Sequence, residues 1–98
     1  MRNKQPAIYI MTNKHNGTLY VGVTSDLIKR VYQHKTQHIK CFTSKYKCTD
    51  LVYYELFSDM ENAIKREKQI KAGSRKNKLK LIEGKNKNWD DLYSSIIK

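Results

Sequence analysis

One carboxylate stands where the sequence otherwise places apolar residues. Glu67 falls within the apolar stripe of a predicted helix, which is formed by Met60, Ala63, Ile64 and Ile70. A carboxylate in such a position is costly unless it is paired with a cation or binds one. Two interpretations follow: an ion pair with Lys71 one helical turn later, or a ligand for a metal ion.

Two tyrosines near the start of the chain are joined by a turn segment that ends in Asn16-Gly17. Apolar alternation on both sides of this segment predicts a β-hairpin. A two-residue loop at Asn16-Gly17, or a four-residue loop that ends at Gly17, places Tyr9 and Tyr20 on one face of the sheet. A three- or five-residue loop separates them. Gly22 lies on the tyrosine face and leaves room for a bulky group, although tyrosine is also simply a good strand former.

A first helix follows the hairpin. Thr24-Ser25-Asp26 is a helix start, and Leu27, Ile28, Val31 and Tyr32 recur at helical spacing. Arg30 and His34 are four residues apart, so this helix presents both on one face.

The rest of the chain predicts one more strand and two to three helices. Residues 35–50 show no clean period and are expected to form a loop, while 51–57 is rich in β-branched and aromatic residues and predicts the third strand. Ser58 with Glu61 is a capping-box pattern that predicts the start of the helix carrying Glu67, and Gly73 its end. Ser74 is expected to cap a further helix that closes at Gly84.

The tail has a helical pattern of its own. It consists of Trp89, Leu92, Tyr93, Ile96 and Ile97. The sequence therefore predicts an α+β fold with a small three-stranded antiparallel sheet flanked by helices, in a single domain over 1–98 with a core at about 6–84 and a helical tail at 88–97.

Charge indicates the kind of partner. The 98 residues contain 20 Lys plus Arg against 9 Asp plus Glu, a formal net charge of +11, and the excess is concentrated between 65 and 87. Such a field favours polyanions, and no basic helix has the broad aromatic and leucine face that membrane binding needs. The sequence shows no apolar run long enough to span a bilayer and no signal-peptide core, so a cytoplasmic location is expected. Two cysteines do not make a disulfide framework.

These segments together resemble the GIY-YIG endonuclease family, in particular its small stand-alone members and the nuclease domain of the excinuclease C subunit. The resemblance covers nearly the whole chain. It rests on six segments in order: Ala7-Ile8-Tyr9, residues 20–27, residues 29–34, residues 51–55, residues 66–71 and residues 88–92.

The resemblance implies a nuclease that hydrolyses phosphodiester bonds with one divalent metal, Mg²⁺ or Mn²⁺. It places the family's signature tyrosines on Tyr9 and Tyr20, its helix arginine on Arg30, its metal-binding glutamate on Glu67, and a helix His-or-Tyr position on His34. Tyr9 would orient or deprotonate the attacking water, Arg30 would bind the phosphate through its planar fork, and Tyr20 and His34 would position groups and transfer protons. Mg²⁺ needs only one or two carboxylates.

The nucleic-acid contacts are assigned to the basic run. They are Lys65, Lys68, Lys71, Arg75, Lys76 and Lys78. The resemblance favours DNA over RNA, a role in repair or recombination, and a monomer or weak dimer. The chain departs from the family at three places: Ala7 replaces the glycine of the first triplet, Val23 stands where the excinuclease branch commonly has lysine, and the asparagine beyond the metal glutamate is placed on Asn77.

Two alternatives compete with a nuclease. A module that binds nucleic acid without cutting it, or cuts it weakly, would explain the basic surface, but it gains nothing from an acid inside a basic face. A zinc module could use His34, His38, Cys41 and Cys48, although their spacing matches no standard zinc pattern.

Overall fold

The three predicted strands form one antiparallel sheet. A computed structural model describes residues 5–36 and 48–97, and in it β1 (Ala7–Thr12) lies between β2 (Leu19–Thr24) and β3 (Asp50–Leu56). Every residue of β1 is buried. The central strand is therefore covered on both faces, and the sheet needs helices on each side.

The hairpin has the register that brings the two tyrosines together. Thr12 pairs with Leu19, Tyr9 with Gly22 and Met11 with Tyr20, so Tyr9 and Tyr20 lie on one face. This is the register of the four-residue loop that ends at Gly17, so of the two outcomes that the sequence left open, the common face is the one observed. Beyond the last strand pair, Asn13 Oδ1 accepts a hydrogen bond from the Thr18 backbone N–H at 3.0 Å, which closes the loop.

A β-bulge in the pairing of β1 with β3 changes which face of the sheet the side chains of β3 occupy. Ile10 pairs with Tyr53 but Met11 pairs with Leu51, so Val52 is the extra residue. Val52 and Tyr53 consequently both join the apolar cluster on one face, while Leu51 packs on the other. A bulge allows this because it changes the alternation of side chains along the strand.

Four helices in the described residues cover the sheet. They are α1 (Leu27–Lys35), α2 (Met60–Ala72), α3 (Arg75–Lys85) and the short α4 (Tyr93–Ile96). Helices α2 and α3 contribute Ala63, Ile70 and Ile82 to the cluster on one face, with Ile8, Ile10 and Val21 of the sheet. Helix α1, Leu92 and α4 pack on the opposite face, the face of Tyr9 and Met11, whereas Trp89 joins the cluster of α2 and α3. The α+β prediction is confirmed.

Two helix ends differ from the sequence prediction. Asp59, not Ser58, is the N-cap of α2 and accepts from the Asn62 backbone N–H at 2.8 Å, because its charged carboxylate is favoured at the positive end of the helix. Helix α3 is capped by Ser74 as predicted but passes through Gly84 to Lys85. It ends where the Asn86 amide binds the carbonyls of Val52 and Asp90.

The tail is less helical than predicted. Only Tyr93–Ile96 is helical, because Trp89 takes a left-handed backbone conformation with φ of 59°. Asp91 accepts from the backbone N–H groups of Leu51 and Tyr93, and Leu92 donates to the Leu51 carbonyl at 2.7 Å. These bonds to β3 determine the path of the tail across the sheet edge.

Most of the loop predicted at 35–50 lies outside the described residues. The same is true of His38 and Cys41, two of the four ligands that a zinc module would need. Within 5–36 and 48–97, no helix is long and apolar enough to span a bilayer.

Candidate active site

Tyr9 reaches across β2 because the residue opposite it is glycine. A Cβ built on Gly22 would lie 2.5 Å from both Cζ and the hydroxyl oxygen of Tyr9, far inside van der Waals contact. The room that Gly22 leaves is therefore filled by the phenol of the protein's own Tyr9. This close approach carries the hydroxyl past the sheet toward α1.

The Tyr9 hydroxyl meets a histidine of α1. Its oxygen is 3.1 Å from His34 Nε2, and the Tyr9, Tyr20 and His34 rings lie with centroids 5.4–6.3 Å apart. We call these three residues the tyrosine–histidine cluster. Tyr9 is 0% exposed and His34 2%, whereas Tyr20 is half-buried. His34 thus takes a core position on α1, and Tyr32, which the helical spacing placed in the apolar set, is exposed.

His34 is neutral at pH 7. Burial, and secondly the positive charge of Arg30, lower the pKa of His34 from 6.5 to about 4. Such an imidazole is a weak proton acceptor and a good N–H donor. The ring nitrogen near Tyr9 donates or accepts according to the tautomer.

Arg30 lies one helical turn before His34 and is half-buried. It lines a small polar depression of about 140 Å³ at the start of α1, together with Thr24, Asp26 and Lys29. Its guanidinium is close enough to His34 to lower the pKa of that ring. Arg30 and His34 share a face of α1, as predicted.

Glu67 is buried and paired. Its Oε2 atom lies 2.8 Å from Lys71 Nζ, and only 11% of the Glu67 side chain is exposed, against 54% for Lys71. The ion pair expected from the i,i+4 spacing is therefore present. The hydrogen bond to Glu67 raises the pKa of Lys71, with a smaller contribution from Tyr20.

Lys71 connects the two halves of the site. It lines a shallow depression of about 300 Å³ with Tyr20 and Lys78, along the outer edge of β2. Tyr20 belongs to the α1 face of the sheet, while α2 packs on the opposite face, so the contact passes around the edge strand. The structure brings Tyr9, Tyr20 and His34 into contact, with Arg30 one helical turn before His34. Glu67 lies on the other face of the sheet, and its partner Lys71 borders the depression beside Tyr20.

The six predicted nucleic-acid contacts fall into two groups. Lys65, Lys68 and Lys76 are exposed, with Lys65 3.9 Å from Glu61. The other three make closer contacts within the protein: Lys71 with Glu67, Arg75 with the Asn16 and Gly17 carbonyls at 2.9 and 2.8 Å, and Lys78 with the Gly73 carbonyl at 2.7 Å. The role of Arg75 as an anchor of the hairpin loop has no signal in the sequence, because the partners are far apart along the chain.

The departures from the family pattern fall at positions that accommodate them. Ala7 is buried in β1 and does not have a positive φ, so the strand does not require glycine there. Val23 packs on the α2 side of the sheet. Asn77 lies at the start of α3 and lines a groove with Arg66 and Gln69. This groove meets the depression beside Tyr20 at Lys78, but Asn77 does not line that depression.

Few side chains that could bind a metal ion lie close together in the described residues. They contain no group of three or more His, Cys, Asp or Glu side chains that could hold a metal. Cys48 is buried against the Thr18 carbonyl, and burial raises the pKa of its thiol, which disfavours the thiolate that zinc requires. Glu67 has one carboxylate, and Mg²⁺ sites use one or two carboxylates together with waters and substrate phosphates.

The fold and this cluster define a class of protein. A sequence model described as the GIY-YIG catalytic domain matches residues 5–80, and the chain belongs to the GIY-YIG family of nucleases, which are hydrolases that act on nucleic acid.

Three proteins similar to this chain carry the designation UPF0213. One from Staphylococcus saprophyticus is 41% identical over 75 residues, covering 76% of this chain and 90% of the relative. Another, from Staphylococcus haemolyticus, is 38% identical over 76 residues, covering 78% and 92%. The solution NMR structure of a UPF0213 protein from Bacillus halodurans superposes with a TM-score of 0.56 at 25% identity, covering 89% of this chain and 92% of that one.

Proposed function

We propose that this protein is a divalent-metal-dependent endonuclease that hydrolyses phosphodiester bonds, with DNA favoured over RNA as the substrate. The observation that carries the proposal is the buried hydrogen bond between Tyr9 and His34, with Tyr20 beside it and Arg30 one helical turn away. A purely electrostatic binder has no use for a buried phenol–imidazole pair.

Glu67 is the residue that would hold Mg²⁺ or Mn²⁺, with waters and phosphate oxygens completing the coordination. When bound, such an ion lowers the pKa of a water and neutralises charge on the phosphoryl oxygens. Within the proposal Glu67 has no other role in the chemistry, and its buried position on α2 keeps the carboxylate oriented.

Arg30 binds the phosphate in this proposal. Its half-buried guanidinium lies in a polar depression and carries planar donors that match phosphate oxygens. Lysine cannot reproduce this fork, so Arg30→Lys should be a poor substitute.

The Tyr9–His34 pair holds or moves a proton. In this proposal the neutral imidazole takes the Nε2–H tautomer and donates to the Tyr9 oxygen. Tyr9 would orient or deprotonate the attacking water, with the hydrogen bond from His34 holding its oxygen in place. Tyr20 positions the water and substrate from the half-exposed side of the cluster.

Burial determines the order of contact with substrate. Tyr20 and Arg30 are half-buried and meet the nucleic acid first, whereas Tyr9 and His34 are almost fully covered. The Tyr9 hydroxyl can therefore contact an attacking water only after substrate binding displaces the groups that cover this hydroxyl. A setting in repair or recombination, a monomeric or weakly dimeric state and a cytoplasmic location stay predictions from the sequence.

A nicking assay tests the proposal. Supercoiled plasmid, branched DNA, single-stranded DNA and RNA are incubated with Mg²⁺, Mn²⁺ or a chelator. We expect metal-dependent cleavage that falls on the order of 10²-fold or more in Tyr9→Phe, Arg30→Ala and Glu67→Ala. Tyr32→Phe, a change at an exposed tyrosine of α1, is the control and should cleave like the wild type.

Two results would reject this assignment. Metal-dependent cleavage that survives in Glu67→Ala removes Glu67 from the site. Salt-sensitive binding without cleavage of any substrate favours the binding-only module, an alternative supported by the observation that Lys71 satisfies the Glu67 carboxylate without a metal.

A further inference from the structure

The Glu67–Lys71 pair has one buried partner and one exposed partner. Glu67 is held against the sheet between Ala63 and Ile70 of the apolar cluster, and little of its side chain is exposed. Lys71 reaches it from a side chain that is 54% exposed. Once a metal ion has taken its place at Glu67, the exposed ammonium can return to water, because its charge is strongly hydrated and its stem is flexible.

We propose that Lys71 is the resident cation of Glu67: it holds the carboxylate in place, and a divalent metal ion must displace it to bind. This inference rests on the proposed function, in which Glu67 is the metal ligand. Lys71 is therefore a positioning residue that sets how tightly the site holds its metal.

The physical reason is a competition for one carboxylate. A nearly buried carboxylate requires a cation, and the lysine supplies one at hydrogen-bond distance. An ammonium and a divalent ion repel each other at such separations, so both cannot occupy Oε2. The intrinsic affinity of Glu67 for the metal is then reduced by the free energy of the ion pair that must be broken.

Neighbouring charges show where the displaced ammonium goes and what cannot replace it. Lys71 lines the depression that contains Tyr20 and Lys78, so after displacement it remains beside the proposed path of the nucleic acid. The Lys78 ammonium donates hydrogen bonds to the Gly73 carbonyl at 2.7 Å and to the Lys71 carbonyl at 3.4 Å. Lys78 is thus committed to the end of α2 and is not positioned as a substitute at Glu67.

The test measures Mn²⁺ binding to the full chain without nucleic acid, by electron paramagnetic resonance of the unbound ion. Lys71→Gln removes the charge but keeps a donor for Glu67. Lys68→Gln removes the same charge from an exposed position of the same helix, and Lys71→Arg keeps the charge at the site. We expect Lys71→Gln to bind Mn²⁺ about three- to tenfold more tightly than the wild type.

The controls should differ from that result. Lys68→Gln should lie within about twofold of the wild type, because the exposed charge of Lys68 is screened by solvent, and Lys71→Arg should not bind more tightly than the wild type. Lys71→Met gives a second neutral variant if Lys71→Gln unfolds, as checked by circular dichroism. Equal Mn²⁺ affinity in Lys71→Gln and Lys68→Gln, or weaker binding in Lys71→Gln, would overturn the inference.

Glu67→Gln separates this inference from the proposed function. If Mn²⁺ binds the wild type and is lost in Glu67→Gln, the metal assignment stands and the Lys71 comparison decides the inference alone. If Mn²⁺ binding is insensitive to Glu67→Gln, or no variant binds Mn²⁺, the metal assignment and the inference both fail.

Discussion

At the scale of single residues, the site consists of polar groups kept in core positions. His34 occupies a position on the buried face of α1 where an apolar residue is usual, and Leu27 and Val31 are the other buried residues of this helix. Its bond to Tyr9 offsets part of the cost of burying two polar groups. The remaining cost is that the ring must stay neutral, and this makes His34 sensitive to acid.

Acid should destabilise the protein through His34. Folding lowers the pKa of His34 from 6.5 to about 4, so between these values the unfolded chain binds a proton that the native protein does not. The stabilisation is complete above pH 6.5 and is lost as the pH falls toward 4, by on the order of 2–3 kcal/mol. Urea unfolding at several pH values measures it.

His34→Gln isolates this effect because glutamine does not titrate. The variant should be less stable at pH 7 but lose less stability than the wild type on acidification from pH 6.5 to 4. If both proteins lose the same amount, His34 is not held neutral by the fold.

At the scale of elements, the site forms where β1, β2 and α1 meet. Strand β2 is an edge strand, and its Gly22 allows the Tyr9 ring of the neighbouring strand to lie across it. The same strand carries Tyr20 and ends next to the start of α1, which presents Arg30 and His34. The geometry of the tyrosine–histidine cluster therefore depends on the absence of a side chain at Gly22.

Gly22→Ala should displace Tyr9. The added Cβ would lie 2.5 Å from the Tyr9 hydroxyl oxygen, so the ring must move away from its contact with His34. We expect a loss of about 1–3 kcal/mol of stability from overpacking, together with a loss of nuclease activity. Thermal unfolding and the nicking assay measure the two effects.

Gly84→Ala is the matched control, since a Cβ on this helical glycine of α3 would meet nothing within 4 Å. It should raise stability by about 0.5–1 kcal/mol, because glycine is a poor helix former, and leave activity unchanged. A Gly22→Ala protein with wild-type stability and activity would show that Tyr9 is not constrained by β2.

At the scale of the whole molecule, the charge of +11 serves both the fold and the proposed substrate. Arg75 and Lys76 are neighbours at the start of α3, yet Arg75 bonds the hairpin loop while Lys76 is exposed. His15 of that loop also stacks on Trp89, with ring centroids 5.1 Å apart. Part of the basic surface therefore holds the hairpin against α3.

Neutralising Arg75 and Lys76 should have different effects. Lys76→Gln should reduce the slope of log affinity against log salt by about 0.7–0.9 for each phosphate that the protein no longer neutralises, with stability unchanged. Arg75→Gln should lower stability by about 1 kcal/mol, because it removes bonds to two backbone carbonyls. Oligonucleotide binding at several salt concentrations and thermal unfolding measure these effects, and a reversed pattern would contradict this division of roles.

Local periodicity let the sequence alone predict much of the fold. Alternation predicted that Tyr9 and Tyr20 share a face if the loop is even, and helical spacing predicted the common face of Arg30 and His34. The i,i+4 spacing of Glu67 and Lys71 gave an ion pair as one of two interpretations. These features depend on neighbours within a few residues, where backbone geometry fixes the relation between side chains.

Tertiary structure alone decided how these pieces meet. The Tyr9–His34 bond, the position of Lys71 beside Tyr20, the anchoring of the hairpin by Arg75 and the course of the tail after Trp89 all join residues that are distant in sequence. Such contacts depend on how helices pack on a particular sheet, and no local pattern records that packing. The sequence therefore determined which residue types were available for chemistry, and packing across Gly22 and around the edge of β2 determined which of them touch.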